Sequence, residues 1–273
     1  MLCSGIPVAL RGSRSQTSDA DARIGGRNFA EYRLIPAGDT ALVVEFGNII
    51  ERRVSATVLA LDSALRRLRL DGIAESVPSF RSLLVHYDPL VLSTSLLCTR
   101  LSELIPSLQV REDAGRLWRI PACYDLCFAP DLEQVARRTG LSSPQIVECH
   151  SATTYHVYML GFLPGMAYLG DLPAELVLPR RAAPRVNVPA GSLAIATTMT
   201  CVYPMDTPAG WHLIGRCPIP FLKQDPEPSV LLAAGDKLTF VPVSRREYEE
   251  IVVQIAAGTL RIVPVHDCLE AAA

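Results

Sequence analysis

The chain has 273 residues, of which 49% are hydrophobic and 20% are charged, and its formal net charge is −2 at pH 7. This length can bury the core of one large domain or two smaller ones, and the composition is typical of a globular protein and excludes disorder over most of the chain. Without an excess of positive charge a nucleic-acid partner is not favoured, and no apolar run reaches the roughly 18 residues of a membrane span. We therefore expect neither nucleic acid nor membrane among its partners.

Residues 1–27 are predicted to form a disordered tail outside the fold. They are rich in Arg and Ser and lack the order of a secretory signal, although they faintly resemble an organelle transit peptide. A start codon assigned too far upstream is the alternative interpretation. The eight cysteines show the spacing neither of a disulfide framework nor of a zinc site, so we expect reduced thiols, a cytoplasmic location and no bound metal.

Residues 28–110 are predicted to fold as an α+β domain. Two short strands flank a turn at Gly38-Asp39, and apolar residues at helical spacing from Val54 to Leu68 predict an amphipathic helix. A strand pair that turns at Ser79–Ser82 and a second helix at about 94–105 follow, and a strand at 116–121 extends this order. Such an order predicts helices packed on one face of a sheet.

Residues 111–273 are predicted to form a second, mainly-β domain. Many short strands separated by Gly and Pro predict a closed barrel. Gly235-Asp236 predicts a hairpin turn, and the last strand is expected at 259–265. Helices are predicted at 131–139, 143–150 and 245–257.

The stretch from His150 to Phe221 is dense in Gly, Pro, aromatic and Arg residues, which favours a small-molecule cleft. Within it, prolines hold the segment PRRAAPR extended and present Arg180, Arg181 and Arg185 at defined angles. A guanidinium group suits a carboxylate or phosphate because it donates two parallel hydrogen bonds. A solvated basic loop and a nucleic-acid contact are the alternatives to a small anionic substrate or an acidic partner surface.

Other residues of this stretch are candidates for the same cleft. Gly191 and Ser192 lie at a turn where backbone N–H groups could hold a carbonyl or carboxylate oxygen. His150 ends a predicted helix, where it either titrates near neutral pH or caps the last carbonyl groups. The GFLPG corner at 161–165 predicts a pocket wall with the nearby aromatic residues, which are Phe162, Tyr168, Tyr203 and Trp211.

A series of short motifs runs through this stretch in a fixed order. They read Gly161-Phe162, Pro164-Gly165, Pro179 to Arg181, Pro184-Arg185, Val188 to Ser192, Tyr203-Pro204, Gly210-Trp211 and Ile214 to Arg216. With these motifs the chain resembles the KipI family, also called allophanate hydrolase subunit 1, over roughly residues 31–243. Members usually carry Gly-x-Gln-Thr-Gly where this chain has Thr197, Met199, Thr200 and Cys201, so Met199 replaces an amide that could contact substrate.

The resemblance implies a ferredoxin-like N-terminal domain followed by a cyclophilin-like β-barrel domain. It also implies a subunit of an ATP-dependent 5-oxoprolinase, inactive alone, that opens pyroglutamate with a KipA-like subunit (allophanate hydrolase subunit 2) and a LamB/YcsF-like subunit. The assembled complex would use the ATP, since the chain has no glycine-rich phosphate loop. The alternatives are a regulator that inhibits a sensor histidine kinase and an amide-handling subunit of the urea carboxylase or allophanate hydrolase type.

For a small anionic amide substrate, Arg185 or Arg181 is expected to hold the carboxylate. His150 and Arg185 are then the candidate catalytic residues. The candidate substrate-binding residues are Phe162, Tyr168, Arg180, Arg181, Gly191, Ser192, Thr200, Tyr203 and Trp211.

Overall fold

The computed structural model describes residues 31–112, 115–223 and 229–265. The predicted tail at 1–27 lies outside the described residues. We refer to residues 31–112 as the N-terminal unit and to the described residues from 115 onward as the barrel unit. The boundary at 110/111 between two domains stays a prediction.

The N-terminal unit is an antiparallel sheet with two helices. Its strands are β1 Arg33–Pro36, β2 Ala41–Glu45, β3 Ile73–Pro78 and β4 Ser82–Tyr87, and its helices are α1 Arg52–Leu68 and α2 Thr94–Leu104, which runs into a 3-10 turn at Ile105–Ser107. The strand order is β1-β2-β4-β3, so β4 lies between the two strands that α1 connects. The predicted strands and helices of this unit are confirmed, whereas the ferredoxin-like assignment stays a prediction.

One apolar core joins the sheet to both helices. Val58 and Leu61 of α1 and Leu97 of α2 are buried together with Leu42 and Leu83 of the sheet. Because side chains alternate across a strand, these sheet residues share one face, and both helices pack on it. Buried apolar residues at helical spacing therefore explain why α1 forms and where it packs.

The barrel unit consists of short strands and three helices within the described residues. Its strands are β5 Leu117–Ala122, β6 Tyr155–Leu160, β7 Ala167–Gly170, β8 Arg185–Val188, β9 Ser192–Ala196, β10 Met199–Val202, β11 Thr207–Ala209, β12 His212–Arg216, β13 Leu222–Lys223, β14 Ser229–Val230 and β15 Lys237–Pro242. Its helices are α3 Leu132–Thr139, α4 Ser143–Ala152 and α5 Arg245–Ala256, with a 3-10 turn at Ala174–Leu176.

Seven of these strands form a nearly closed barrel in the order β12-β9-β10-β7-β6-β15-β5. Reciprocal backbone hydrogen bonds of 2.8 Å between Cys123 and Arg216 connect the end of β5 with β12, at the two edges of the sheet. β15 runs parallel to β5 and antiparallel to β6, so the sheet is mixed. The predicted barrel is confirmed, and the cyclophilin-like assignment stays a prediction.

Three predictions about this unit are wrong. The strand at 116–121 does not extend the N-terminal sheet but forms β5 of the barrel. Gly235-Asp236 is not a hairpin turn, because β15 pairs with β5 and β6, and the Asp236 carboxylate accepts hydrogen bonds from the Arg116 backbone N–H (3.0 Å) and the Trp118 indole (2.9 Å). Residues 259–265 form no strand, since the backbone there lies beside β5 with one hydrogen bond from Val265 to Leu117.

The barrel sheet buries both of its faces around β9 and β10. The inner face contributes Leu193 and Ile195 to the barrel core. The outer face carries a second apolar cluster covered by the β8–β11 ribbon, formed by Met166, Val188, Ala194, Ala196, Met199, Cys201, Tyr203, Trp211 and Leu213. Strands buried on both faces have few polar positions, so the polar side chains that they do carry are informative.

Side chains from both units meet along β6 and β7. Phe80, in the β3–β4 turn, has its ring centroid 6.1 Å from that of Tyr158, and Arg52 of α1 forms a 2.8 Å ion pair with Asp171. Ser55 of α1 lies 3.4 Å from His156.

Of the helices in the described ranges, none combines the length and the apolar character that crossing a bilayer requires.

Candidate functional site

Two of the three clustered arginines bind a carboxylate of the chain itself. Arg185 donates from its two terminal nitrogens to the two oxygens of Asp131, at 2.7 and 2.8 Å. Arg181 donates to the same carboxylate at 2.6 Å. Asp131 precedes α3, its side chain is only 4% exposed, and it also accepts the Leu213 backbone N–H at 2.8 Å. Both guanidinium groups that were expected on a substrate are therefore engaged by Asp131, and their substrate roles stay predictions.

Arg180 lies apart from this ion pair. Its guanidinium carbon is 5.8 Å from the centre of the Trp211 ring, the geometry of a cation–π contact. Arg180 is exposed, and no carboxylate of the described ranges lies within ion-pair distance of it. Because successive side chains of an extended segment point to opposite sides, Arg180 and Arg181 reach different surroundings.

Aromatic rings surround the Arg180 position. Tyr168 meets Trp211 edge-on, with ring centroids 6.0 Å apart, and Phe80 meets Tyr168 in the same way at 5.7 Å. Tyr203 is 1% exposed in the same apolar cluster. We call Phe80, Tyr168, Arg180, Tyr203 and Trp211 the outer-face cluster.

The outer-face cluster holds one cation beside neutral groups. Burial raises the pKa of Tyr168, and the Arg180 charge opposes that change. The pKa of Tyr203 is likewise raised by burial, as is that of the neighbouring Cys201 thiol. All three groups are therefore uncharged near neutral pH. The rings are largely covered, since Trp211 is 5% exposed and Tyr168 is half-buried, so the exposed Arg180 guanidinium is the group of the cluster best placed to bind a carboxylate.

His150 lies inside the barrel and is fully buried. Its Nδ1 is 2.8 Å from the Tyr124 hydroxyl, and its Nε2 is 3.0 Å from the Thr200 hydroxyl. Since Thr200 donates its own proton to the Ala194 carbonyl at 3.0 Å, it accepts from Nε2–H, and Tyr124 donates to Nδ1. Burial lowers the pKa of His150 to about 3.

The two interpretations of His150 from sequence are therefore both wrong, because the ring neither titrates near neutrality nor caps its helix. Its pKa is low because the buried ring lacks the water that would solvate its charged form. Thr200 faces the same interior and not the outer-face cluster. A catalytic role for His150 and substrate binding by Thr200 stay predictions.

The predicted oxygen-binding turn has its backbone donors engaged. The Gly191 N–H donates to the Tyr203 carbonyl at 2.7 Å, and the Ser192 N–H donates to the Pro189 carbonyl at 3.2 Å. Gly191 has a φ of +79°, and a Cβ there would lie 2.7 Å from the Cys217 carbonyl oxygen, so only glycine fits. The turn shapes the entry to β9, and binding by Gly191 and Ser192 stays a prediction.

Phe162 lies at the β6–β7 turn with 67% of its surface exposed and a φ of +69°. Its neighbour Leu163 packs against the apolar cluster that contains Trp211, whereas the Phe162 side chain is turned to solvent.

Two cavities of about 340 and 360 Å³ lie elsewhere, one beside α5 and one beside α1, and no predicted site residue lines them.

Two residues of these arrangements were missed by the sequence analysis. Asp131 was assigned only to the start of a helix, and Phe80 only to a strand end and its turn. A carboxylate ahead of a helix most often acts as a cap, so its pairing with arginines 50 and 54 residues away carries no local signal.

Comparison with known proteins places the chain in a family. The family model described as carboxyltransferase domain, subdomain C and D, matches residues 32–232. The chain is 36% identical over 231 residues to the B-type subunit of 5-oxoprolinase from Bacillus subtilis (strain 168), and the match covers 80% of this chain and 95% of that relative. The chain belongs to the family of B-type 5-oxoprolinase subunits. The family resemblance predicted from the motifs is thus confirmed.

Two further matches extend this assignment. The B-type 5-oxoprolinase subunit of Escherichia coli O157:H7 is 37% identical over 206 residues, which are 75% of this chain and 93% of that relative. The crystal structure of the Kluyveromyces lactis urea amidolyase superimposes with a TM-score of 0.71 at 18% identity, over 86% of this chain and 16% of that one. At this identity the likeness shows the fold alone.

Thr197 and Met199, where the motif resemblance implied a departure from the family pattern, lie between β9 and β10 and at the start of β10. Met199 is 8% exposed and packs in the apolar cluster with Trp211. Thr197 occupies the β9–β10 turn with a φ of +53°, a conformation that a β-branched residue adopts only at a cost. Met199 is therefore part of the apolar surroundings of Trp211, and the positive φ of Thr197 strains the turn.

Proposed function

We propose that this chain is one subunit of a cytoplasmic, ATP-dependent 5-oxoprolinase, which opens the lactam of 5-oxoproline to give glutamate. The observation that carries the proposal is the 36% identity along 95% of a B-type 5-oxoprolinase subunit. The chain would act only when assembled with a KipA-like subunit and a LamB/YcsF-like subunit.

The outer-face cluster supports the binding of 5-oxoproline. This substrate is a small five-membered lactam with one carboxylate. Arg180 would hold the carboxylate, and Trp211 and Tyr168 would line the ring. We assign the carboxylate to Arg180 instead of Arg181 or Arg185 because Asp131 already accepts hydrogen bonds from both of those guanidinium groups, whereas Arg180 contacts only the Trp211 ring among the described residues.

The same cluster does not fit a triphosphate. Within the described residues Arg180 is its single cation, whereas a triphosphate carries several negative charges that need several donors. We therefore assign the ATP phosphates to the partner subunits and derive no step of the reaction through them. The role of this chain would be to bind and orient 5-oxoproline.

Reconstitution of the complex tests this proposal. The three subunits are co-expressed, and ATP-dependent glutamate formation is measured over a range of 5-oxoproline concentrations. Arg180→Ala should raise the KM for 5-oxoproline by about 10- to 100-fold, since a charge-assisted hydrogen bond contributes about 1.5–3 kcal/mol. Arg100→Ala, which removes an exposed arginine of α2, is the matched control and should leave KM unchanged.

Two results would contradict the site. Turnover that does not depend on this chain would remove the proposed function altogether. An unchanged KM in Arg180→Ala, with a raised KM in a folded Arg185→Ala variant, would move the carboxylate to the Asp131 side of the segment.

A second candidate function is an amide-handling module of the urea carboxylase type. The family model described as a carboxyltransferase domain favours it. This function predicts urea-dependent ATP hydrolysis when the chain is combined with a biotin-bearing partner, and no glutamate formation from 5-oxoproline.

A further inference from the structure

The outer-face cluster contains a residue from outside the barrel unit. Phe80 is half-buried at the β3–β4 turn, and its ring centroid lies 5.7 Å from that of Tyr168 at an interplanar angle of 79°. The other members of the cluster all belong to the barrel unit. The N-terminal unit therefore reaches the candidate binding wall through one aromatic side chain.

The aromatic contacts form a continuous series that ends at Arg180. Tyr168 lies edge-on to Trp211 at 6.0 Å and 71°, and Arg180 lies over Trp211 at 5.8 Å. Edge-to-face pairs have a preferred geometry because the positive edge of one ring faces the negative face of the other. Phe80 is one of the two rings that meet Tyr168 among the described residues, so its removal leaves Trp211 and the apolar cluster alone to orient Tyr168.

A second contact ties the same strand to the N-terminal unit. Arg52 of α1 donates to the carboxylate of Asp171 at 2.9 Å, and Asp171 directly follows β7, the strand that carries Tyr168. Asp171 has a φ of +69°, and the Tyr158 hydroxyl lies 3.4 Å from its other oxygen. Phe80 itself also contacts Tyr158. β7 is thus held by the N-terminal unit at two points.

We propose that Phe80 is a positioning residue for the substrate site. It holds Tyr168 against Trp211 and so sets the position of the half-buried Tyr168 ring that meets the lactam of 5-oxoproline, while Arg180 binds the carboxylate. This inference rests on the proposed function and deepens it, because it makes the N-terminal unit part of the substrate-binding site.

Kinetics of the assembled three-subunit complex test the inference. Phe80→Ala should raise the KM for 5-oxoproline by about 3- to 10-fold, which is the range that one edge-to-face contact supports, while kcat and the KM for ATP stay within about twofold. Phe80→Tyr keeps the ring and should restore the KM. A structural role alone would lower the amount of active complex and not separate KM from kcat.

The matched control is Tyr32→Ala. Tyr32 is also a half-buried aromatic residue of the N-terminal unit, but its ring packs on Phe46 at 6.3 Å, against the core of that unit. It should leave the KM for 5-oxoproline unchanged at a similar loss of stability. Should Phe80→Ala fail to fold, Phe80→Leu keeps apolar volume without the ring edge and should still raise KM by about 2- to 5-fold.

The outcomes separate this inference from the proposed function. A normal KM in both Phe80→Ala and Phe80→Leu, with a raised KM in Arg180→Ala, overturns the positioning role and keeps the site. A normal KM in Arg180→Ala as well overturns the site itself. Equal KM increases in Phe80→Ala and Tyr32→Ala also overturn the inference, because they would assign the effect to general destabilisation.

Discussion

The two sides of the 179–185 segment differ in what its arginines contact. On one side, the buried Asp131 carboxylate binds Arg181 and Arg185 together. On the other side, Arg180 lies over Trp211 with its donors open to solvent. Neighbouring cations can therefore have different roles, and the position of the buried carboxylate decides which guanidinium group keeps its donors available to a ligand.

The same contrast divides strand β10. Thr200 points into the barrel, where its hydroxyl completes the hydrogen bonds of His150. Cys201 and Met199 point outward into the apolar cluster beside Trp211. Polar groups that satisfy one another lie inside the barrel, and the outward residues Met199 and Cys201 are buried in apolar surroundings under the β8–β11 ribbon.

The largest expected effect comes from removing the carboxylate that accepts from both arginines. Asp131→Ala deprives two guanidinium groups and the Leu213 N–H of their acceptor, and it should lower the free energy of unfolding by about 3 kcal/mol. The cost stays at the lower end for a broken ion pair because both arginine side chains are 24% exposed. Urea denaturation measures it, with the exposed Glu133→Ala on the same helix as a control that should change stability by less than about 0.5 kcal/mol.

If Asp131→Ala costs less than about 1 kcal/mol, the contrast between the two regions fails. Arg181 and Arg185 would then not depend on this carboxylate, and both would again be candidates for binding the substrate.

The pH dependence of stability tests whether His150 is enclosed by the barrel. The pKa of His150 is about 3 in the folded chain, and near 6.5 when the ring is solvated. Below pH 6.5 the unfolded chain takes up a proton that the folded chain does not. The free energy of unfolding therefore falls as the pH is lowered from 6.5 towards 3, and the contribution of His150 is fully present above pH 6.5. Between about pH 7 and pH 5 this one group should remove about 2 kcal/mol.

His150→Gln isolates that contribution. Its free energy of unfolding, measured by urea denaturation at both pH values, should decline by about 2 kcal/mol less than that of the unmodified chain. Equal declines in the two proteins would show that His150 is solvated and able to titrate, which would reopen its predicted catalytic role.

The smallest effect concerns the turn between β9 and β10. Thr197 has a φ of +53°, so Thr197→Gly should relieve strain and raise the free energy of unfolding by about 1 kcal/mol. Thr198 lies in the same turn and lacks a positive φ, so Thr198→Gly should instead destabilise the chain slightly. Thermal unfolding of both variants compares them, and stabilisation by both or by neither would contradict the strain at Thr197.

Local pattern determined which elements could be predicted from sequence. The helix that begins near Val54 was predicted because its apolar residues recur at helical spacing, and the structure places it at Arg52–Leu68. The short strands between glycines and prolines were predicted for a similar reason. The family was predicted because its motifs are long and lie close together in the chain.

What the sequence did not predict depends on partners that are distant along the chain. β5 was assigned to the wrong sheet because its parallel partner β15 lies 120 residues away. The arginines were assigned to a substrate because nothing near Arg185 in sequence marks Asp131 as its acceptor. His150 was misinterpreted since its neutrality results from enclosure by the barrel, which a helix-end position does not reveal.

The pairing of β5 with β15 also has a consequence for the synthesis of the chain. The edge of β5 that pairs with β15 stays uncovered until residues 237–242 have been synthesised. While the ribosome adds the intervening segments, β5 presents unpaired backbone donors and acceptors, the kind of edge that invites association with other nascent chains. The wall of the barrel is therefore completed only late in translation, and high contact order makes that final step slow.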